Sequence, residues 1–240
     1  MKTKIFLPYL LGSFLILFSC KKDRSELTVK DIDGNIYKTI KIGDQIWMAE
    51  NLKTHKLNDG TPIAYVTADA TWADMNNLEP MMCYYDNDVD NHKDKYGALY
   101  NWYAVNTGKL APVGWHVPTD ADWQKLQDYL IAQGYNYDSS TVDNKIGKAL
   151  AATSGWDFDP TSGNIGNDQA SNNKSGFTGL PSGLRSFTGD YHFSSGAGSW
   201  WSSSKGNNLA SCFSLYNNDQ MLSADFADAH CGLAVRCVKN

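Results

Sequence analysis

The segment that most resembles an active site reads APVGWHVPTDADW and covers residues 111–123. It holds His116 close to Asp122, and a histidine near a carboxylate is a common general-base arrangement. The same residues also suit the start of a helix. Because Pro118 disfavours helix at the residue before it, Thr119 becomes the N-cap and Asp122 completes a capping box. No serine or cysteine nucleophile lies nearby in the sequence, so we interpret the segment as a capped helix start.

A second cluster of chemistry-bearing residues is the acidic segment YYDNDVDNHKDK at 84–95. Its carboxylates fall at the first, third, fifth and ninth positions of a calcium-loop pattern, at Asp86, Asp88, Asp90 and Asp94. The glycine and the bidentate glutamate of that pattern are replaced by Asn91 and Gly97. Calcium, with Asp86, Asp88 and Asp90 as ligands, is therefore the only cofactor that we consider, and a solvated acidic turn is the alternative.

Two adjacent tryptophans, Trp200 and Trp201, lie in the segment GSWWSSS. Since neighbouring residues of a strand face opposite sides, we expect one ring in the core and the other exposed. An exposed ring could stack on a sugar or on another flat ligand, and Tyr191 and His192 are further candidate ligand contacts. The alternative is an edge ring that the long loop at 153–176 covers.

Local motifs for catalysis are missing from the sequence, which contains no GxSxG, HExxH, P-loop or GxGxxG pattern. We therefore predict a protein that is not an enzyme. The first alternative is an extracellular hydrolase or modifying enzyme whose site assembles in space around His116, His192 or His230. The second alternative is a structural envelope protein without a small ligand.

The N-terminal residues predict export and a lipid anchor. Two lysines precede an apolar run from Ile5 to Phe18, which is the pattern of a secretory signal. The run ends in Leu-Phe-Ser-Cys, which resembles a lipobox, so we predict a signal peptide over 1–19 and lipidation of Cys20. Residues 20–27 form a tether whose Lys-Lys-Asp start resembles the tag of surface-exposed outer-membrane lipoproteins. The predicted location is the outer membrane, at the cell surface.

Composition and cysteine usage limit the partners. The net charge is −5 and no basic stripe is present, which argues against nucleic acid. In an exported protein, cysteines without CxxC spacing favour disulfides over metal ligation, and four such cysteines allow three pairings. These are Cys83, Cys212, Cys231 and Cys237. The 8 tryptophans and 20 glycines favour buried rings and tight turns over long helices.

The elements that would position these residues follow from periodicity. Between Val29 and Leu52, turn signals at Asp33-Gly34 and Gly43-Asp44 predict short antiparallel strands. Apolar spacing predicts helices over 96–108 and 120–134, each with a terminal glycine stop. Residues 84–95 and 153–176 are predicted loops, and alternation after Gly232 predicts a closing strand. No boundary divides residues 28–240, so we expect one domain there.

The order of motifs resembles that of the Fibrobacter succinogenes major paralogous domain family, from about Thr28 to Asn240. The motifs are DIDGNIYKTIKIGDQIWMAENL, MCYYDND, YGALYNWYAV, GWHVPTDADW, SGFTGLPSGLR, SWWSSS and GLAVRCV. This family resembles the C-type-lectin-like fold that the formylglycine-generating enzyme shares. The resemblance implies an α+β architecture in which two helices pack on a small twisted antiparallel sheet with long irregular loops.

What the resemblance implies for function is limited. The catalytic cysteine pair of the enzyme and the calcium motifs of sugar-binding lectins are not matched here. By analogy with the fold, the resemblance implies an outer disulfide, Cys83–Cys237, and an inner one, Cys212–Cys231. The family's own activity is undefined. The expectation is a non-enzymatic, lipid-anchored surface module that binds a glycan or a protein.

Overall fold

The computed structural model describes Met1, residues 28–205 and residues 209–240. In these parts the chain has a mixed α+β fold, as predicted, with mostly short elements. The strands are β1 (Thr28–Lys30), β2 (Ile36–Ile42), β3 (Gln45–Met48), β4 (Ala64–Tyr65), β5 (Met81–Cys83), β6 (Leu99–Tyr100), β7 (Trp115–His116), β8 (Leu184–Arg185), β9 (Tyr191–His192), β10 (Ala197–Lys205), β11 (Ala210–Tyr216), β12 (Ser223–Ala227) and β13 (Val238–Lys239). The helices are α1 (Asp69–Trp72), α2 (Val89–Tyr96), α3 (Trp102–Asn106), α4 (Asp120–Ala132) and α5 (Gly147–Leu150), and single 3-10 turns cover Tyr85–Asn87 and Gln169–Ser171.

The largest sheet has the strand order β1-β2-β3-β13-β7. Strands β1, β2 and β3 are antiparallel neighbours, which confirms the prediction from their turn sequences. Gly43 has a φ of 60° in the two-residue turn between β2 and β3, where a left-handed conformation favours glycine. Strand β13 lies between β3 and β7, with Val238 opposite Trp47 and His116. The C-terminal segment is thereby joined to the N-terminal hairpin.

A second sheet, β10-β11-β12, crosses the core. In its antiparallel register Trp200 lies opposite Phe213, and Trp201 lies opposite Cys212. Trp200 and Phe213 belong to one hydrophobic cluster, and Trp201 and Cys212 belong to another. Because neighbouring strand residues face opposite sides, both faces of the sheet are covered at this point.

Helix α4 begins as the sequence predicts. The Thr119 hydroxyl accepts a hydrogen bond from the Asp122 amide, and the Asp122 carboxylate accepts one from the Thr119 amide at 2.9 Å. This reciprocal capping box satisfies two backbone groups at the helix start. The helix buries Trp123, Leu126 and Leu130 against the cluster that contains Trp200.

We expect Asp122→Asn to lower the free energy of unfolding by about 1 kcal/mol near neutral pH, because it weakens the cap. Burial raises the pKa of Asp122, but hydrogen bonds from Thr119 and His116 outweigh burial, so its pKa is lowered overall. A carboxylate with a lowered pKa stabilises the fold above its unfolded pKa of about 3.9, and this contribution disappears as the pH falls through the folded pKa.

Urea unfolding of the two proteins near pH 7 and near pH 3 measures this difference. The penalty of Asp122→Asn should shrink at the lower pH. The exposed Asp128, on the same helix, supplies the control variant Asp128→Asn. A penalty that is independent of pH, or equal to that of the control, would contradict the expected role.

Three predictions about elements are wrong in part. The helix predicted over 96–108 is only α3, because the Asn101 side chain accepts a hydrogen bond from the Ala104 amide and starts the helix there. The predicted acidic loop contains α2, which Asp88 caps. The closing strand is confined to β13, because the preceding residues make only isolated bridges, such as those of Leu233 and Ala234.

Arg236 is fully buried and connects distant segments. Its guanidinium donates from Nε to Asn51 Oδ1 at 2.9 Å and from its terminal nitrogens to the carbonyls of Phe177 and Thr178. Asn51 Oδ1 also accepts a hydrogen bond from Trp200 Nε1 at 2.8 Å. One amide oxygen, in the segment that follows β3, therefore joins Arg236 to Trp200 of strand β10.

The loop predicted at 153–176 is irregular apart from the 3-10 turn that it contains. A buried lysine holds it: Lys148 Nζ donates to the backbone carbonyls of Asn164, Asn167 and Asp168. Burial lowers the pKa of Lys148, and the nearby Asp168 opposes this effect. The loop is thus fixed by an internal cation and three carbonyl oxygens.

Candidate functional site

An open cleft of about 580 Å³ lies between the β8–β9 hairpin, the 3-10 turn at Tyr85–Asn87 and the start of α1. Its lining residues are Asp69, Tyr85, Asp86, Asn87, Gly189, Asp190, Tyr191 and His192. Three of the residues that the sequence nominated, Tyr191, His192 and Asp86, therefore meet at one site. The sequence nominated them separately, two as ligand contacts and one as a calcium ligand.

Two tyrosine rings form an aromatic wall in this cleft. The ring centroids of Tyr85 and Tyr191 are 5.2 Å apart at an interplanar angle of 58°. The Tyr191 hydroxyl donates to Asn87 Oδ1 at 2.9 Å, which fixes the orientation of the phenol. A Cβ on Gly183, whose φ is 61°, would lie 2.4 Å from the Tyr85 ring, so a glycine is required behind the wall.

A buried arginine supports the cleft from below. Arg185 is fully buried and donates to the carbonyls of Val66 and Gly189 at 2.7 and 2.9 Å, and to Asp69 Oδ1 at 2.6 Å. Its guanidinium lies 5.0 Å from the centre of the Tyr191 ring. Such a planar cation with several fixed acceptors holds the aromatic wall and the carboxylate in one arrangement.

The mouth of the cleft is acidic. Asp69, Asp86 and Asp190 are all exposed, and Arg185 is the partner of only the first. Burial raises the pKa of Tyr191 well above its ordinary value, so its hydroxyl stays protonated and neutral. The cleft therefore presents aromatic surface beside carboxylate oxygens, which accept strong hydrogen bonds from hydroxyl or amine donors.

The expected calcium ligands Asp86, Asp88 and Asp90 do not form a metal site. The Asp88 carboxylate is used as a helix cap, since it accepts hydrogen bonds from the Asn91 backbone and side-chain amides at 3.1 and 2.6 Å. Among the residues that the structure describes, no group of three or more His, Cys, Asp or Glu side chains could hold a metal ion. The start of α2 explains the spacing of these aspartates.

The expectation of an exposed tryptophan is also wrong. Trp200 and Trp201 both have 0% exposure, so neither presents a face to a ligand. The physical reason is that clusters cover both faces of β10 at this point. Each indole is anchored by its nitrogen, Trp200 to Asn51 Oδ1 at 2.8 Å and Trp201 to the Tyr100 carbonyl at 2.6 Å.

The four described cysteines are buried free thiols, which corrects both disulfide expectations. For the pair Cys83–Cys237, the two residues belong to different hydrophobic clusters, and Cys83 interacts with Tyr191 and Arg185 beneath the cleft. For the pair Cys212–Cys231, both residues lie in one cluster but remain unbonded. Burial, Asp225 and Cys231 together raise the pKa of Cys212 to about 12, which keeps it a protonated thiol at neutral pH.

The three candidate histidines lie in different surroundings. His116 Nε2 is 3.1 Å from Asp122 Oδ2, within the cap of α4. His230 is buried, with Nδ1 3.0 Å from Asp228 Oδ1. Only His192 is an exposed part of the cleft. The structure thus brings one of the three histidines near several carboxylates.

Sequence reasoning missed Tyr85, Asp69, Asp190 and the supporting Arg185. Arg185 bonds to the Val66 carbonyl across 119 positions of the chain, so no local pattern could reveal the contact. A usable signal was the arginine itself, since an isolated arginine in the apolar segment GLPSGLRSF is a candidate for a buried anchor.

The fold and the cleft define a small mixed α+β domain with an open aromatic and acidic cleft. The chain belongs to the Fibrobacter succinogenes major domain family, whose family model matches residues 40–239, which confirms the resemblance of its motifs. Searches of curated proteins and of solved structures each give no match.

The N-terminal predictions lie outside the described residues. They are the signal peptide at 1–19, the lipidation of Cys20 and the tether at 20–27, of which only Met1 is described. Within the described ranges, every helix is too short or too polar to cross a membrane.

Proposed function

We propose that this protein is a non-enzymatic binding module, held at the outer surface of the outer membrane by a lipid on Cys20, and that it binds a glycan. The proposed binding site is the cleft between the β8–β9 hairpin and the Tyr85–Asn87 turn. One observation carries the proposal: the Tyr85 and Tyr191 rings stand beside three exposed carboxylates. A C-type-lectin-like architecture is part of the proposal, and the pairing of the C-terminal strand β13 with β3 of the N-terminal hairpin supports it.

The chemistry of the cleft suits a sugar. The apolar face of a pyranose ring packs on an aromatic ring, and its hydroxyls donate to carboxylates. Arg185 and Gly183 fix the wall before any ligand arrives, which lowers the ordering cost of binding. An open, largely polar cleft of this kind also lets one unit of a longer chain enter from the side.

The test is binding of the full chain to a glycan array, with Cys20→Ser to remove the predicted acylation site. For a glycan that binds, Asp190→Asn should weaken affinity about tenfold, because a charged hydrogen bond is lost. Asp190 is exposed, so its replacement should leave the melting temperature unchanged. The matched control is Asp44→Asn, in the exposed turn between β2 and β3.

Two outcomes oppose the proposal. If no glycan binds, the structural envelope role becomes the better explanation. If Asp44→Asn weakens binding as much as Asp190→Asn does, the site lies elsewhere. Because both variants change one exposed carboxylate, nonspecific loss of charge affects them equally.

A hydrolase that acts on the same class of ligand is the second candidate. The observation in its favour is that His192 shares the cleft with Asp69, Asp86 and Asp190. Paired carboxylates or a histidine–carboxylate pair can supply a general acid and base. Release of shorter products from a bound glycan, abolished by His192→Ala, would establish this activity. If the bound glycan stays intact, the protein acts as a binding module and not as a hydrolase.

A further inference from the structure

A second groove, separate from the aromatic cleft, lies between helix α4 and the outer part of the β10-β11-β12 sheet. Its volume is about 540 Å³. Residues 221–226 line it consecutively, together with Gln124 and Gln127 of α4 and Phe213 of β11. Because successive strand residues face opposite sides, a lining by consecutive residues means that the groove follows the edge of β12.

Strand β12 is an edge strand, since among the described residues it pairs only with β11. Its sequence, SADFA, contains no proline or lysine, and its register runs without a bulge from Ser223 to Ala227. Proteins normally protect such edges with these devices, because free N–H and C=O groups are a template for another strand. Asp225 is the single charged residue of β12, and the strand has neither a proline, a lysine nor a bulge to protect its edge.

The groove offers a pocket for the side chains of an added strand. Ala224 lies opposite Phe213, and Phe226 lies opposite Ser211, so these residues share the face that meets α4. Phe213 is 6% exposed and stacks on Trp123 at 5.0 Å, which makes it a rigid floor. Phe226 is 63% exposed and forms an apolar rim.

The wall of the groove is fixed by hydrogen bonds. Asn144 Nδ2 donates to Gln127 Oε1 at 2.9 Å and to the Leu222 carbonyl at 2.8 Å, and Asn144 Oδ1 accepts from the Leu222 amide at 3.3 Å. One asparagine therefore holds the helix and the start of β12 at a set separation. A groove that keeps its shape without a ligand loses less conformational freedom on binding.

The charge on the two sides of the β12 edge selects its occupant. Asp120 and Asp225 are the charged residues of the lining, and no lysine or arginine contributes. Asp120 begins α4, whereas Asp225 lies opposite Cys212, so its side chain is on the other face of the sheet from Phe226. Asp225 Oδ2 accepts a hydrogen bond from the Tyr216 hydroxyl at 2.9 Å, which fixes that carboxylate near the edge. A strand with lysine or arginine would be complementary, whereas an acidic strand would be repelled.

We infer that β12 and this groove receive an extended, basic segment of a partner protein, which adds a fourth strand to the β10-β11-β12 sheet. Main-chain hydrogen bonds to the edge supply affinity. Phe226 and Asp120 on the α4 face, and Asp225 on the opposite face, supply selectivity for alternate side chains of the added strand. The inference is independent of the glycan proposal, because the two sites share no residue.

The experiment uses the full chain with Cys20→Ser and two synthetic nine-residue peptides. One alternates valine with lysine, and the other alternates valine with glutamate. The lysine peptide should bind at least about tenfold more tightly, and it should slow amide hydrogen exchange in Ser223–Ala227. Phe226→Ser should weaken its binding about tenfold. Phe158→Ser is the matched control, because Phe158 is also exposed and lies outside the groove.

Other results would overturn the inference. If neither peptide binds, the proposal that a strand adds to β12 is wrong. If the two peptides bind equally, the proposed preference for a basic strand is wrong. Binding without slower exchange in β12 would place the peptide elsewhere. Concentration-dependent protection of β12 without any peptide would show that a second copy of this chain covers the edge.

Discussion

Replacing Arg236 by leucine is expected to lower the free energy of unfolding by about 3–5 kcal/mol. The guanidinium donates hydrogen bonds to Asn51 Oδ1 and to the Phe177 and Thr178 carbonyls. Leucine would leave these three acceptors without that donor. The side chain also lies 4.2 Å from the centre of the Phe177 ring. Burial lowers the pKa of Arg236 to about 9, which still leaves it charged at neutral pH.

Urea unfolding of Arg236→Leu and of the parent protein measures this effect. Lys239→Leu is the control, since Lys239 is a nearby cation on β13 that is exposed. Exposed substitutions of this kind change stability by about 0.5 kcal/mol or less. Arg236→Lys should remain destabilising, because a single ammonium cannot reproduce the planar arrangement of donors. A loss for Arg236→Leu as small as that of the control would show that leucine packing replaces the network.

Trp200→Ala has the second large expected effect, a loss of about 3–5 kcal/mol. The indole is fully buried, and its ring centroid lies 5.8 Å from that of Phe177 in an edge-to-face contact. Its removal leaves a cavity in the cluster and takes a hydrogen bond from Asn51 Oδ1. Loss of ligand binding in this variant would therefore report unfolding and not a lost ligand contact.

Calorimetry or urea unfolding of Trp200→Ala measures the loss, with the exposed Phe158→Ala as control for removal of an aromatic ring. The double variant with Arg236→Leu tests the shared acceptor. Because both side chains donate to Asn51 Oδ1, the two losses should deviate from additivity by about 0.5–3 kcal/mol. Strict additivity would mean that Asn51 does not couple them.

The features that depend on a few neighbouring residues could be predicted from the sequence. The capping box needs only Thr119 and Asp122, and the β2–β3 turn needs a glycine that tolerates a positive φ. The mixed α+β class and the family also follow from local patterns and their order. In each case the physical cause lies within a few positions of the chain.

The cleft could be predicted only in part, because its causes are long-range. Tyr191 and His192 stand out as an aromatic pair in a turn-rich segment, but Tyr85 reaches them from more than 100 positions away. The buried state of Trp201 depends on a cluster whose members are spread over most of the described chain. Alternation in the sequence predicts which side chains share a face of a strand, whereas the residues that bury each face are brought there by tertiary packing.

The position of strand β13 has a consequence for synthesis. Strands β3 and β7 are synthesised before β13, the strand that pairs with both of them. Contacts between such distant residues slow folding, and the free edges stay open to wrong partners in the meantime. The sheet is therefore complete only after residues 238–239 have been synthesised, and until then the edges of β3 and β7 that face β13 stay unpaired.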